Sequence, residues 1–155
     1  AILRPPVVYG PNCKGNYPRL SRLAQTLRVF PEVINARSMI YIENLVEFIR
    51  LVIHHELSGL YFPQNEEYVN VTELVMAIAK MHGRDIRTVS GLGTAIKMGM
   101  VVSSSMRKVF GSLCYDMDMP GGPEWTVNGR RLDYQVVPFR ESILLTERPI
   151  KESRT

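Results

Sequence analysis

The stretch from Ala36 to Ile49 constrains this chain most, because its hydrophobic period changes in mid-run. Ser38, Ile40 and Ile42 alternate with Met39 and Tyr41, which is the period of an extended strand. From Asn44 onward Leu45, Phe48, Ile49, Val52 and Ile53 recur at i, i+3, i+4, i+7 and i+8, one apolar stripe of a helix. Asn44 followed by Glu47 has the spacing of a capping box, which sets the expected start of that helix. Arg37 stands at the mouth of the strand, a good place for an anion clamp. A surface arginine or a structural ion pair is the other reading of the same position.

The chain of 155 residues is long enough to bury a core, as one domain or as part of a larger one. Its 45% hydrophobic and 22% charged residues exclude disordered and collagen-like classes. The net charge of +4 is spread along the chain, and aromatics do not interleave with basic runs, so nucleic acid is not the expected partner. Cys13 and Cys114 lie far apart and form no C-x-x-C motif, which predicts reduced thiols. Glu47 and Arg50 interrupt the longest apolar run well short of the roughly 18 residues of a membrane span. No signal peptide is recognisable at Ala1–Arg4, so a soluble, cytoplasmic protein without a membrane partner is expected. No cluster of Asp, Glu, His or Cys has metal-ligand spacing, and no metal site is predicted.

Taken in order, Ile2-Leu3 and Val7-Val8-Tyr9 read as one near-continuous apolar strand, of the kind buried on both faces of a sheet. Turn residues Gly10 to Asn16 follow, and then a helix with Leu20, Leu23, Ala24 and Leu27 on one face and Pro18 in its first turn. Arg19, Arg22 and Arg28 lie mostly off that face, Arg22 on solvent, and Val29-Phe30-Pro31 is a short extended piece. Past the central helix, closed by His54, His55 and Ser58-Gly59, come a strand Leu60-Tyr61-Phe62 and a second extended piece, Tyr68 to Val71. Thr72 is the expected N-cap of a helix carrying Leu74, Val75, Ile78 and Met81 and stopped at His82-Gly83. Ile86 to Val89 reads as a strand, Gly91-Leu92-Gly93 as a loop, and Ala95 to Val102 as a Met-rich apolar face. Met106, Val109, Phe110 and Leu113 have helical spacing, Pro120 to Pro123 is loop, and Tyr134 to Val137 is a last strand or extended arm. Pro138 opens a final helix with Phe139, Ser142, Ile143 and Thr146 on one face, ended before Pro149, and Lys151 to Thr155 is a polar tail.

Three segments, in order, resemble the extended short-chain dehydrogenases/reductases, the family of nucleotide-sugar epimerases and dehydratases. Leu3-Arg4-Pro5-Pro6-Val7-Val8-Tyr9-Gly10-Pro11 is similar to that family's L-R-x-x-x-V-Y-G-P strand. Arg37-Ser38-Met39-Ile40-Tyr41-Ile42-Glu43-Asn44-Leu45-Val46 resembles its R-D-[FY]-I-H-V-x-D-[LV]-[AV] segment. Gly59 to Leu74 resembles the G-x-x-[FY]-N-[LI]-G segment and the sequence that follows it. Ser38 stands where the family usually has Asp, Tyr41 where it has His, and Val7 where it often has Asn.

The resemblance implies an α/β fold: the C-terminal substrate-binding portion of an extended Rossmann-type domain. Residues 1–10 would be the last core strand, 11–148 the substrate domain and 149–155 a tail. It implies an NAD-dependent epimerase, most nearly of the UDP-glucose 4-epimerase kind, as the full-length parent, with a UDP-sugar as substrate and a homo-oligomeric state. Arg37 would pair with a diphosphate oxygen, Val29 and Phe30 would contact the base, and Asn16 would line the substrate. Asp116 is carried over from Tyr115 to Met119, which resembles the family's x-D-x-[ST]-[KR] segment without its basic residue. Pro5 and Pro6 would face the cofactor. The Gly-rich turn and the Tyr-x-x-x-Lys pair of that family are not in this sequence, so catalytic residues are expected outside it. The fragment alone is expected to be inactive and not to bind NAD tightly. A non-catalytic binding or assembly module of the same descent is the alternative.

Overall fold

The computed structural model describes residues 1–91, 103 and 110–148. Its elements run β1 (Ile2–Leu3), β2 (Val7–Tyr9), α1 (Tyr17–Thr26), β3 (Val29–Pro31), β4 (Met39–Tyr41), α2 (Ile42–His54) and β5 (Leu60–Tyr61). They continue with α3 (Val71–Met81), β6 (Arg87–Val89), β7 (Thr126–Val127), β8 (Arg130–Arg131) and α4 (Phe139–Glu147). Three strand pairs are parallel, β1 with β5, β2 with β4 and β3 with β6, while β7 and β8 form an antiparallel hairpin. Parallel partners need crossovers, and helices lie between the partners of every parallel pair, as the α/β class requires.

The expected continuous strand from Ile2 to Tyr9 is two strands with different partners. Pro5 and Pro6 carry no backbone N–H and fix their own φ, so the ladder cannot run through them. Before the break, Ile2 N donates to Gly59 O (2.7 Å) and Arg4 N to Tyr61 O (2.9 Å). After it, Val7, Val8 and Tyr9 pair with Met39, Ile40 and Tyr41.

Strand β4 is buried on both faces, and its alternation divides the core. Met39 and Tyr41 face a cluster with Tyr9, Tyr17, Leu20, Phe30, Leu74, Val75, Ile78 and Ile143, built from α1, α3 and α4. Ile40 faces the other way, into Leu45, Phe48, Leu51, Val52, Trp125, Leu132 and Tyr134. Tyr9 stacks on Tyr17 in the first cluster, with ring centroids 5.4 Å apart, and Phe48 stacks on Trp125 at 4.6 Å in the second.

Helix α2 starts at Ile42, directly after Tyr41, so Asn44 is already inside its first turn and the capping box is not formed. The Asn44 side chain instead clamps a distant segment: its Oδ1 accepts from Val137 N (2.9 Å) and its Nδ2 donates to Val137 O (3.0 Å). Glu47 pairs with Arg50 at 2.7 Å, on the surface. The buried arc of α2 is Asn44, Leu45, Phe48, Leu51 and Val52, leaving Ile53 71% exposed and Ile49 partly so. The expected stripe is therefore rotated by what packs on it, since Asn44 is drawn inward and Leu51 follows it. At α3 the N-cap is Asn70, whose Oδ1 accepts from Thr72 N (2.8 Å) and Glu73 N (3.3 Å). Thr72, the expected cap, lies within the helix and uses its hydroxyl on Pro31 O (3.2 Å) and Val33 N (3.0 Å).

Leu113 is extended and bridges to Arg37 rather than continuing a helix. The hairpin β7–β8 turns at Asn128-Gly129, both at positive φ (51° and 74°), the two-residue turn whose twist suits antiparallel strands. Tyr134 to Val137 carries no ladder and is held through side chains. The Leu92-Gly93 part of the expected loop, the Met-rich segment 95–102, Met106, Val109, Pro149 and the tail lie outside the described residues.

Candidate anion site at Arg37

Arg37 is fixed by its backbone before its side chain is considered. Its N–H donates to Val69 O (3.1 Å) and its carbonyl accepts from Val69 N (2.9 Å). On the other edge, Ser38 N donates to Leu113 O (2.9 Å) and Leu113 N to Ala36 O (3.2 Å). The residue thus lies between one antiparallel and one parallel neighbour, at the entry to β4.

The side chain is buried, with the whole residue 7% exposed, and Nε donates to Gly111 O (2.8 Å). Among the described residues no carboxylate lies within ion-pair distance of it. Burial holds its pKa below the ordinary arginine value, yet a guanidinium stays protonated, so this is a buried positive charge without a carboxylate counter-ion among the described residues. Such a site is short of one anion, and a planar fork of N–H donors matches a phosphate or carboxylate. Arg37 is therefore not a surface arginine, and among the described residues it forms no ion pair.

A buried polar hub supports this strand end. Ser38 Oγ donates to Gln64 Oε1 and accepts from Tyr115 N (2.8 Å), while Gln64 Nε2 donates to Asp116 O (2.9 Å). Gln64 N donates to the Tyr134 hydroxyl (3.2 Å), whose one proton is shared between Gln64 O (2.8 Å) and Gly121 O (2.9 Å). Gln135 Nε2 also reaches Gln64 O (2.8 Å). Beside it, Asn65 accepts from Tyr41 N (3.3 Å) and donates to the Tyr9 hydroxyl (3.1 Å), which also bonds Ser142. Burial pushes the phenols of Tyr9 and Tyr134 up to about 12. The sequence reading passed over Gln64 and Asn65; the one available signal was two amides directly after Pro63, at the end of a short apolar strand.

The other expected site residues divide. Phe30 is buried and its ring lies 6.0 Å from that of Phe110, next to the Gly111 carbonyl that holds Arg37. Asp116 is exposed and belongs to the segment 113–116 that runs beside Ala36 to Ser38. Val29 is half exposed and lines a different cleft, with Arg28, Arg84, Asp85 and Arg87. Asn16 is the half-buried N-cap of α1, its carbonyl accepting from Leu20 N (3.1 Å). Pro5 and Pro6 are half-buried in the link between β1 and β2. Phe30 meets Phe110, Arg37 bonds Gly111, and Asp116 lies further along the same segment 110–116. Cys13 and Cys114 are separate thiols. Among the described residues no group of His, Cys, Asp or Glu is placed to hold a metal, and no helix is long and apolar enough to cross a membrane.

No family profile and no curated protein matches the sequence. Solved structures do match the fold. The Bordetella bronchiseptica enzyme WbmH, in complex with NAD+, aligns over 93% of this chain and 43% of its own at 15% identity, with a TM-score of 0.56. The dTDP-4-dehydrorhamnose reductase of Bacillus anthracis, in complex with NADP, aligns over 75% and 40% at 19% identity and a TM-score of 0.53. The UDP-glucose 4-epimerase of Thermus thermophilus, in complex with NAD, aligns over 93% and 44% at 16% identity and a TM-score of 0.52. The chain spans less than half the length of the solved structures it matches. What it shares with them is the fold: part of a Rossmann-like α/β arrangement found in epimerases and reductases.

Proposed function

We propose that this chain is the substrate-binding portion of an NAD-dependent nucleotide-sugar epimerase or dehydratase, most nearly of the UDP-glucose 4-epimerase kind. In this reading Arg37 grips the diphosphate. The observation that carries it is the buried guanidinium without a carboxylate among the described residues, at the start of the strand that runs into α2. The sequence around it resembles the epimerases, and the fold is one that a UDP-glucose 4-epimerase also has.

The described residues do not by themselves fit a dinucleotide. The described strand-to-helix passages are otherwise occupied: Gly10 to Asn16 is a seven-residue loop, Tyr41 runs directly into α2, Asn70 caps α3 with its own side chain, and Pro138, which has no backbone N–H, is the N-cap of α4. None presents the Gly-rich turn that lets backbone N–H groups approach a pyrophosphate. NAD would be held by a preceding half of a longer protein, where it would take up and return the hydride. This chain's part is to bind and orient. Arg37 neutralises the diphosphate, and the side chains of Ser38 and Gln64 keep segment 113–116 against the site.

Titration with uridine diphosphate tests this. Arg37→Ala should weaken binding by about 1.5–3 kcal/mol, the range for a hydrogen bond to a charged group. Arg37→Lys should recover only part of it, because an ammonium lacks the bidentate fork. Unchanged affinity with a lowered melting temperature in both variants would make Arg37 scaffold and end this reading. No turnover of a UDP-sugar is expected from this chain alone.

A further inference from the structure

Three arginines meet in a second place that the reading above does not use. Arg28, Arg84 and Arg87 line one cleft of about 630 Å³, completed among the described residues by Val29 and Asp85. The backbone brings them there. Arg28 immediately precedes β3, Arg87 opens β6, and Arg87 N donates to Arg28 O (3.1 Å) at the start of that parallel ladder. Arg84 sits in the turn after α3, with its N–H on Ala79 O (3.0 Å). Register and helix stop thus place three cations together, whatever their side chains prefer.

Electrostatically the cluster is open. Among the described residues none of the three arginines forms an ion pair, and Asp85 has no cation within 4 Å. Three guanidinium groups against one carboxylate leave two net positive charges in one concavity. Arg28 and Arg87 are exposed, and water alone would satisfy them. Arg84 differs: it is half-buried, and its Nε–H is fully buried with no acceptor among the described residues. A buried charged donor without a partner is rare in native structures and marks a place where an acceptor is missing.

We propose that this cleft binds a phosphate-bearing small molecule, a monoester or a diphosphate, between Arg28 and Arg87 with Arg84 beneath. Two net positive charges match a phosphate dianion, and guanidinium forks match its oxygens. The volume lies in the range of small-molecule sites. Nucleic acid fits less well, because the cleft holds no aromatic platform and its charge is one cluster rather than a stripe. The cleft shares no residue with the surroundings of Arg37, so the two sites stand or fall separately.

The test is calorimetric titration of the chain with inorganic pyrophosphate, in the wild type and in the double variant Arg28→Gln, Arg87→Gln. Both positions are exposed, so the variant should fold with an unchanged melting temperature. It should bind one equivalent of pyrophosphate fewer, or bind the cleft equivalent at least about tenfold more weakly. Arg84→Gln should weaken the same equivalent. The Arg37 site reads out independently as the equivalent that survives in the double variant and disappears in Arg37→Ala. Identical stoichiometry and affinity in wild type and double variant would overturn the proposal. So would tighter binding of a short single-stranded RNA than of pyrophosphate through these same arginines.

Discussion

The two faces of β4 are closed in different ways. On the Met39 and Tyr41 face three helices converge, and each buries a stripe with helical spacing, such as Leu20 and Ala24 in α1 or Leu74, Val75 and Ile78 in α3. On the Ile40 face α2 is the only described helix, and the rest of the cover is a hairpin with irregular chain around Trp125, Leu132 and Tyr134. Irregular chain satisfies only part of its own backbone, in turns such as Gly122 N to Met119 O and Trp125 N to Gly122 O, and side chains add to it: Gln64, Tyr134, Gln135 and Asn44 all bond main-chain groups more than ten residues away. One face is a packing of regular elements, and the other is a surface segment tied down by amides and a phenol.

The largest test of that contrast is Phe48→Ala. Its ring meets Trp125 at 4.6 Å, Tyr134 at 5.0 Å and Tyr61 at 5.9 Å, and Gly121 leaves just enough room for it. The loss should be about 3–5 kcal/mol, as for other buried phenylalanines. If the Ile40 face is tied on rather than packed through, hydrogen exchange should speed up across Trp125 to Val137 while α1 and α3 keep their protection. Uniform loss of protection would show that both faces form one cooperative unit.

Next in size is an alkaline effect. Tyr9 belongs to the helical face and Tyr134 to the tied face, and both phenols are pushed up to about 12 by burial. The folded state therefore favours the neutral phenol over the unfolded one. That stability is fully present below the unfolded value near 10 and is lost as pH rises through about 12, on the order of 2–3 kcal/mol for each tyrosine. Denaturant unfolding followed from pH 9 to 12 should steepen accordingly, and Tyr134→Phe should remove its share of the slope. At neutral pH that variant should still cost about 1–3 kcal/mol, because the Gln64 N–H and the Gly121 carbonyl lose the phenol, while Gln64 O keeps Gln135 Nε2.

The same contrast decides what could be read from the sequence. Helices α1, α3 and α4 lie within a residue or so of their expected positions, because local period and local stop signals suffice for them. Strand β4 and its run into α2 were legible for the same reason. Errors arose where a distant partner overruled a local preference. Asn44 looked like a cap but serves Val137, and Ile49 and Ile53 looked like core but face outward. The apolar run from Ile2 to Tyr9 was read past its two prolines. The Asn128-Gly129 turn was a strong local signal that went unread. At the candidate site Arg37 was legible as a cation at a strand mouth, but its burial was not, since the segment carrying Gly111 and Leu113 lies more than seventy residues away. Val29 and Phe30, adjacent in sequence, belong to different surroundings because successive side chains of a strand point opposite ways.

The smallest predicted effect separates local from distant contributions at one residue. Asn70 caps α3 through Oδ1, while its Nδ2 donates to Val33 O (2.9 Å) and Asn35 O (3.2 Å) on the chain leading to Arg37. Asn70→Ala removes both functions. Asn70→Ser keeps a capping oxygen and drops the amide donors. The cap alone contributes about 1 kcal/mol, so Ser should be more stable than Ala by that amount. Any remaining deficit of Ser against the wild type measures the tie to 33–35, about 0.5–1.5 kcal/mol for a net hydrogen bond. A Ser variant as stable as the wild type would mean that the Asn70 amide adds nothing to the hold of Val69, Leu113 and the Ser38–Gln64 hub on this end of β4. Arg37 would then owe its position to its backbone pairing and its bond to Gly111 O, and uridine diphosphate affinity should stay unchanged in both Asn70 variants.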